Sequence, residues 1–219
     1  MSAEDDSRRW QTKQAHYQDP EVVAGYDAAR FESLRSRGDT ARMLAAVRRL
    51  LGAEWHAARS VLDMPCGTGR FLPGLAAEGR TLVAGDLSLP MLLAAGEASA
   101  RRVRADATRL PFGDASFDLV LCMRFLFHVP PALQLEVLRE LGRVTRGALV
   151  VDVRHSWAFS AQSRRLRGAL FRRRVSPRTS PSGIDPLFLA AGLEVHGKHW
   201  FAPGFSEKVL VLARPVRAS

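Results

Sequence analysis

Lysine is nearly missing from this basic chain: the 32 Lys and Arg residues include just Lys13, Lys198 and Lys208. An arginine skew of that kind reflects coding bias as readily as a polyanionic partner, so the net charge of +10 is no argument for nucleic acid by itself. Cysteine is scarcer still. Cys66 and Cys122 have no metal-ligand spacing, which excludes a zinc site and favours two buried thiols over a disulfide. No apolar run approaches the ~18 residues of a membrane helix. Met1 to Arg9 lacks the basic-then-apolar order of a signal peptide. Internal repeats and low-complexity linkers are also missing. These absences lead to the expectation of one soluble, cytoplasmic domain of 219 residues with an ordinary hydrophobic share of 47%.

Against that background one stretch stands out, Val61-Leu-Asp-Met-Pro-Cys-Gly-Thr-Gly-Arg-Phe71. An apolar strand runs into Asp63, then into a turn holding Gly67 and Gly69, then into a helical segment. Glycines there let a ligand approach the backbone where a Cβ would clash. No lysine follows the turn, which excludes a P-loop, and Leu72 stands where the dinucleotide fingerprint needs its third glycine. Alone, Gly67-x-Gly69 is equally an ordinary strand-to-helix turn.

The neighbours decide between these readings. Thr81-Leu-Val-Ala-Gly-Asp86 is a second short apolar strand ending in an acid, close to the roughly 20-residue offset of a ribose-binding carboxylate. Alone, Asp86 is equally the cap of a helix starting near Ser88. A third acid, Asp106, ends the strand Val103-Arg-Ala. It is placed to accept from an adenine amino group. Three acids at successive strand ends converge on one crevice, because open α/β sheets bind ligands beyond their strand C-termini. An acidic first loop suits a cofactor that is cationic there and carries a ribose further along. S-adenosylmethionine fits that description.

With Asp63/Gly67/Gly69, Gly85-Asp86-Leu87-Ser88, Asp106-Ala107 and Leu110-Pro-Phe-x-Asp114-x-Ser116-Phe117-Asp118 in order, the chain resembles a class I S-adenosylmethionine-dependent methyltransferase. It is most similar to the small-molecule branch that includes the ubiquinone and menaquinone C-methyltransferases, over about residues 17 to 213. Pro65 departs from the pattern, standing where its first glycine would be. The resemblance implies an α/β, Rossmann-like, seven-stranded, mostly parallel sheet, closed by an antiparallel C-terminal strand and with helices on both faces. It implies S-adenosylmethionine held by Asp63, Gly67, Gly69, Asp86, Leu87, Asp106 and Ala107. Tyr17 and Arg30 resemble lid positions, Arg30 pairing with the methionine carboxylate. Arg124 is a rim cation for the cofactor or an acidic substrate, and equally the partner of a strand-end acid.

The pattern of apolar segments gives strands near 59–63, 81–86, 101–105, 117–123 and 147–153, alternating with helices near 70–78, 89–98 and 130–141. Two helices, Pro20–Ser36 and Thr40–Leu51, precede the sheet, with the break at Gly38-Asp39 and Asp39 or Thr40 as cap. A helix over 184–191 and two antiparallel strands, 193–201 and 207–214, close the chain. The single domain divides into a helical lid (1–55), a cofactor-binding core (56–153), a basic substrate-side insertion (154–183) and the closing elements (184–219).

His128 and His155 follow the fourth and fifth strands and are the candidate general bases, needed where the acceptor must lose a proton. His128 is equally a helix cap. Asp114 and Asp118 read as structural acids, Tyr26 and Phe31 as core, and Phe112, Phe125, Phe127 and Trp157 as walls of an apolar acceptor pocket. The acceptor is expected to be a small organic molecule, and the seven arginines of Arg164–Arg178 suit an anionic one, with a phosphate or carboxylate, as well as an anionic membrane surface. That acid-free run is equally a solvated loop or a grip on RNA. Two rivals are therefore an RNA methyltransferase and a non-catalytic binding protein. The RNA reading lacks an Asn/Asp-Pro-Pro-aromatic motif, and the binding protein has no need of three intact acids.

Overall fold

The computed structural model describes residues 3–26, 34–76, 79–96, 100–158 and 179–216. Its centre is a seven-stranded sheet in the order β3-β2-β1-β4-β5-β7-β6. The strands are β1 (Ser60–Asp63), β2 (Thr81–Asp86), β3 (Arg101–Arg104), β4 (Phe117–Cys122), β5 (Thr145–Arg154), β6 (Leu193–Trp200) and β7 (Lys208–Pro215). The first five pair in parallel. β7 runs antiparallel to both β5 and β6. The expected fold class is present.

Burial on both faces explains the near-continuous apolar runs of the central strands. Leu62, Val120, Val151 and Val211 belong to one buried cluster. Val61, Leu121, Val150 and Leu210 belong to the opposite one. The alternation is what period-2 side chains impose on a two-sided sheet. Each such Leu or Val contributes roughly 1.5–3 kcal/mol when fully buried.

The helices are α1 (Ala3–His16), α2 (Pro20–Ala24), α3 (Leu34–Leu51), α4 (Glu54–Ala57), α5 (Leu72–Ala76), α6 (Leu89–Ala94), α7 (Pro131–Val144) and α8 (Ile184–Ala190). α7 buries Val137, Leu138, Leu141 and Val144, spacings that fall on one helical face. α3 buries Met43, Val47 and Leu51 against the other side of the sheet.

Three expectations need correction. α3 runs unbroken through Gly38 and Asp39, because burial of its apolar stripe outweighs the ~1 kcal/mol that an interior glycine costs. Asp39 is no cap: both its oxygens accept from Lys208 Nζ on β7 at 2.6 Å. The first expected helix, Pro20–Ser36, is interrupted where α2 closes at Gly25; residues 27–33 lie outside the described part, and 34–36 belong to α3. α1 was not expected at all.

Sheet order places a switch point at β1. Its parallel neighbours are β2 on one side and β4 on the other, so the chain leaves their ends in opposite directions and opens a crevice there.

Candidate active site

β1 and β2 each end in an acid, and the turn after β1 is tied to the second of them. Asp86 Oδ2 accepts the Gly67 N–H and Oδ1 accepts the Ser88 N–H, both at 2.9 Å. Ser88 then caps α6, its Oγ accepting the Met91 N–H. Gly67 (φ +54) and Gly69 (φ +78) are in the left-handed region that favours glycine. At Gly67 a Cβ would meet nothing, so that backbone edge is open to a ligand. At Gly69 a Cβ would come within 2.7 Å of the Ala95 carbonyl oxygen and 2.8 Å of Leu72 Cδ1.

Asp63 is fully buried, and neither carboxyl oxygen has a hydrogen-bond partner among the described residues. Burial, then the neighbouring Asp86 charge, pushes its pKa up to about 8. Burial also raises Asp86, opposed by the N–H groups of Ser88, Gly67 and Leu87. Asp106 is exposed; its Oδ1 accepts the Thr108 N–H at 2.9 Å and the Thr108 hydroxyl at 2.8 Å, a local turn that orients the carboxylate.

A cavity occupies the crevice. Gly67, Thr68, Asp86, Leu87, Asp106 and Ala107 line one side, and Met123, Arg124, Phe125 and His128 line the other. The N-terminal segment forms its cover through Trp10, Lys13, Gln14, Tyr17 and Tyr26. The cover is pinned at three places. Ser88 Oγ donates to the Tyr17 carbonyl, Gln18 Nε2 donates to the Leu87 carbonyl at 3.3 Å, and Trp10 packs edge-on against Phe125 with centroids 5.8 Å apart.

Of the site residues expected from sequence, Tyr17, Gly67, Asp86, Leu87, Asp106, Ala107, Arg124 and His128 therefore meet at one cavity. Asp63 and Gly69 do not line it, although their chain neighbours Met64, Thr68 and Arg70 do. Arg30 and the whole run Arg164–Arg178 lie outside the described residues. Arg124 adopts φ +59 and lies 3.6 Å from Asp39, which joins the rim to α3 and β7.

His155 does not line the cavity. It is buried, its Nδ1 accepts the Trp157 N–H at 3.3 Å, and its Nε2 lies 3.0 Å from the Ser206 carbonyl. That arrangement uses the neutral tautomer with the proton on Nε2, and burial lowers its pKa. Other placements also differ from expectation. Tyr26 lines the cavity instead of the core, stacked edge-on with Tyr17. Phe127 lies under the Arg154 guanidinium, Phe112 packs on Phe117, and Trp157 is exposed. Asp118 is structural as expected: burial works to raise its pKa, but Arg146 and the N–H groups of Ser60 and Arg59 hold it well below the usual range. Cys66 and Cys122 are free, buried thiols.

Trp10, Lys13 and Gln14 went unforeseen. Their spacing puts them on one face of α1, yet a helix with so few apolar residues carries no stripe for sequence reasoning to find.

Residues 62–150 match the family model described as a methyltransferase domain. The demethylmenaquinone methyltransferase of Mycobacterium bovis (strain BCG / Pasteur 1173P2) is 43% identical over 95 residues, 42% of this chain and 40% of the relative. That of Mycobacterium sp. (strain KMS) is 44% identical over 93 residues, again 42% and 40%. The match thus spans about two-fifths of those relatives' length. Among solved structures, magnesium protoporphyrin IX methyltransferase from Synechocystis PCC 6803, with bound S-adenosylhomocysteine, superposes with TM-score 0.72 at 16% identity, covering 94% of this chain and 99% of that one. At such identity the likeness establishes the fold.

Proposed function

We propose that this chain, whose residues 62–150 match a methyltransferase domain, is a class I methyltransferase that transfers the sulfonium methyl group of S-adenosylmethionine to a small organic acceptor. The observation that carries the reading is the row of Asp63, Asp86 and Asp106 at three adjacent strand ends, beside a cavity at the switch point of the sheet.

The residues fit that cofactor. Each Asp86 oxygen already accepts one N–H and has acceptor capacity left, which suits it to two ribose hydroxyls. Gly67 leaves its edge of the cavity open. Asp106 and Ala107 suit the adenine, while Asp63 supplies a carboxyl without a partner close to where a cationic portion would lie. When bound, the cofactor supplies an electrophilic methyl on sulfur and departs as a neutral thioether. The chain's task is then positioning. Trp10, Tyr17, Tyr26 and Phe125 give the cavity an aromatic side suited to a flat acceptor and help exclude water. Lys13 and Arg124 favour an acceptor with an anionic group, and Arg30 is assigned to the methionine carboxylate. His128 lies on the lining and is assigned as the base where the acceptor must lose a proton; His155 holds the rim together.

Residues 1–55 are assigned as the lid and 154–183 as the substrate-side segment. No described helix is long and apolar enough to cross a membrane, and a cytoplasmic place of action forms part of the proposal. By likeness to the mycobacterial relatives, demethylmenaquinone is the first acceptor to test. The test is transfer of labelled methyl from S-adenosylmethionine to that quinone and to a panel of hydroxylated aromatic acids. No transfer to any of them, together with labelling of RNA, would move the reading to nucleic acid.

A further inference from the structure

Asp63 is placed unlike the other two acids. It ends β1 between Ala84 of β2 and Leu121 of β4, both members of a buried apolar cluster. Its carboxyl is fully buried and neither oxygen has a partner among the described residues. Met64, Cys66 and Gly67, the residues that follow it, line the cavity, so the carboxyl lies just beneath the cavity wall. Three titratable groups face it: Asp86 from β2, Cys66 from the turn and Cys122 from β4. Burial keeps both thiols protonated. The one charge they bring is the Asp86 carboxylate, which opposes a second negative charge.

We propose that Asp63 is a specificity-determining residue of the cofactor site: protonated in the empty protein, it releases its proton when the sulfonium cofactor binds, and so favours the cationic methyl donor over the neutral thioether product. This rests on the cofactor reading above. An ionised, unpartnered carboxylate is costly in a dry wall, and an adjacent cation offsets that cost. A positive charge within ~4–6 Å brings a carboxyl down by roughly 1–3 pH units. From a starting value of about 8, such a shift ionises it at neutral pH by about half at its smallest and almost completely at its largest. S-adenosylhomocysteine carries the same ammonium and carboxylate groups as the donor but no sulfonium, so it provides the comparison.

The test is calorimetric titration of the full chain with each ligand at pH 7, in buffers of different ionisation enthalpy. Between about 0.4 and 0.9 proton should leave per S-adenosylmethionine bound, and clearly fewer per S-adenosylhomocysteine. Affinity for the donor should rise between pH 6 and pH 7, by about twofold for the smallest of those shifts and about tenfold for the largest, and level off above about 8, while affinity for the product stays nearly flat. In Asp63→Asn both the proton release and the pH-dependent preference should disappear. Binding heats that do not vary with buffer, or equal release with both ligands, would overturn the role of Asp63 and leave the methyltransferase reading standing. No binding of either ligand to the native chain would overturn both. The buffer dependence of the native protein decides the matter even if the variant does not fold.

Discussion

The Gly67 N–H donates to Asp86 Oδ2 at 2.9 Å, joining the turn after β1 to the end of β2. One carboxylate thus shapes the glycine turn and presents its remaining lone pairs to the cavity. Asp86→Ala should weaken binding of S-adenosylmethionine by roughly 1–3 kcal/mol, the range for a hydrogen bond to a charged group and for the donor it leaves behind. Equilibrium dialysis with labelled cofactor measures this, and an unchanged dissociation constant counts against the ribose assignment.

The two glycines of that turn should respond differently to substitution. Gly67→Ala meets open space, so it carries mainly the left-handed backbone cost of about 1–2 kcal/mol, and it intrudes on the cavity. Gly69→Ala carries the same cost and also drives a Cβ against the Ala95 carbonyl oxygen. Urea melts should show the larger loss of stability for Gly69→Ala, with the larger relative loss of cofactor affinity for Gly67→Ala. The opposite ranking would mean that the turn is built differently.

Asp63 should make the empty protein less stable as pH rises. Its folded value, about 8, lies above the unfolded value near ~3.9, so the folded state holds the proton more tightly and stability falls between those two values. Asp63→Asn cannot ionise. Its melting temperature relative to the native protein should therefore be higher at pH 8 than at pH 5. A difference that is constant with pH would show that Asp63 ionises normally.

His128 and His155 should separate cleanly. If the acceptor must lose a proton, His128→Gln should lower kcat by about 10²–10⁴, the usual contribution of a general base, while cofactor affinity is retained. His155→Gln should instead lower the melting temperature, because it removes the link between the Trp157 N–H and the Ser206 carbonyl. Loss of turnover with unchanged stability in His155→Gln would reverse the two roles.

How much could be read from the residues alone follows from where the physics is local. An apolar run that stops at an acid is a local pattern, and β1 with Asp63 and β2 with Asp86 are legible from it. The antiparallel closing pair followed from a connection too short for a crossover. What escaped depends on distant partners. α1 is polar along most of its length, and it is held through Trp10 on Phe125, far away in sequence. Gly38-Asp39 has the look of a helix break, but Asp39 is engaged by Lys208 from the other end of the chain. Tyr26 has core-like spacing, yet it stacks on Tyr17 at the mouth of the cavity. Both candidate bases were plausible by position along the chain. Their separation rests on the carbonyl of Ser206, which no local pattern reveals.

The central claim is that a sulfonium nucleoside lies across the ends of β1, β2 and β3. A crystal structure of the chain with S-adenosylhomocysteine tests it most directly. It should show both ribose hydroxyls within about 3 Å of the Asp86 carboxylate and the adenine beside Asp106 and Ala107. A nucleoside bound elsewhere on the molecule, or an Asp86 carboxylate turned away from the ribose, would contradict it.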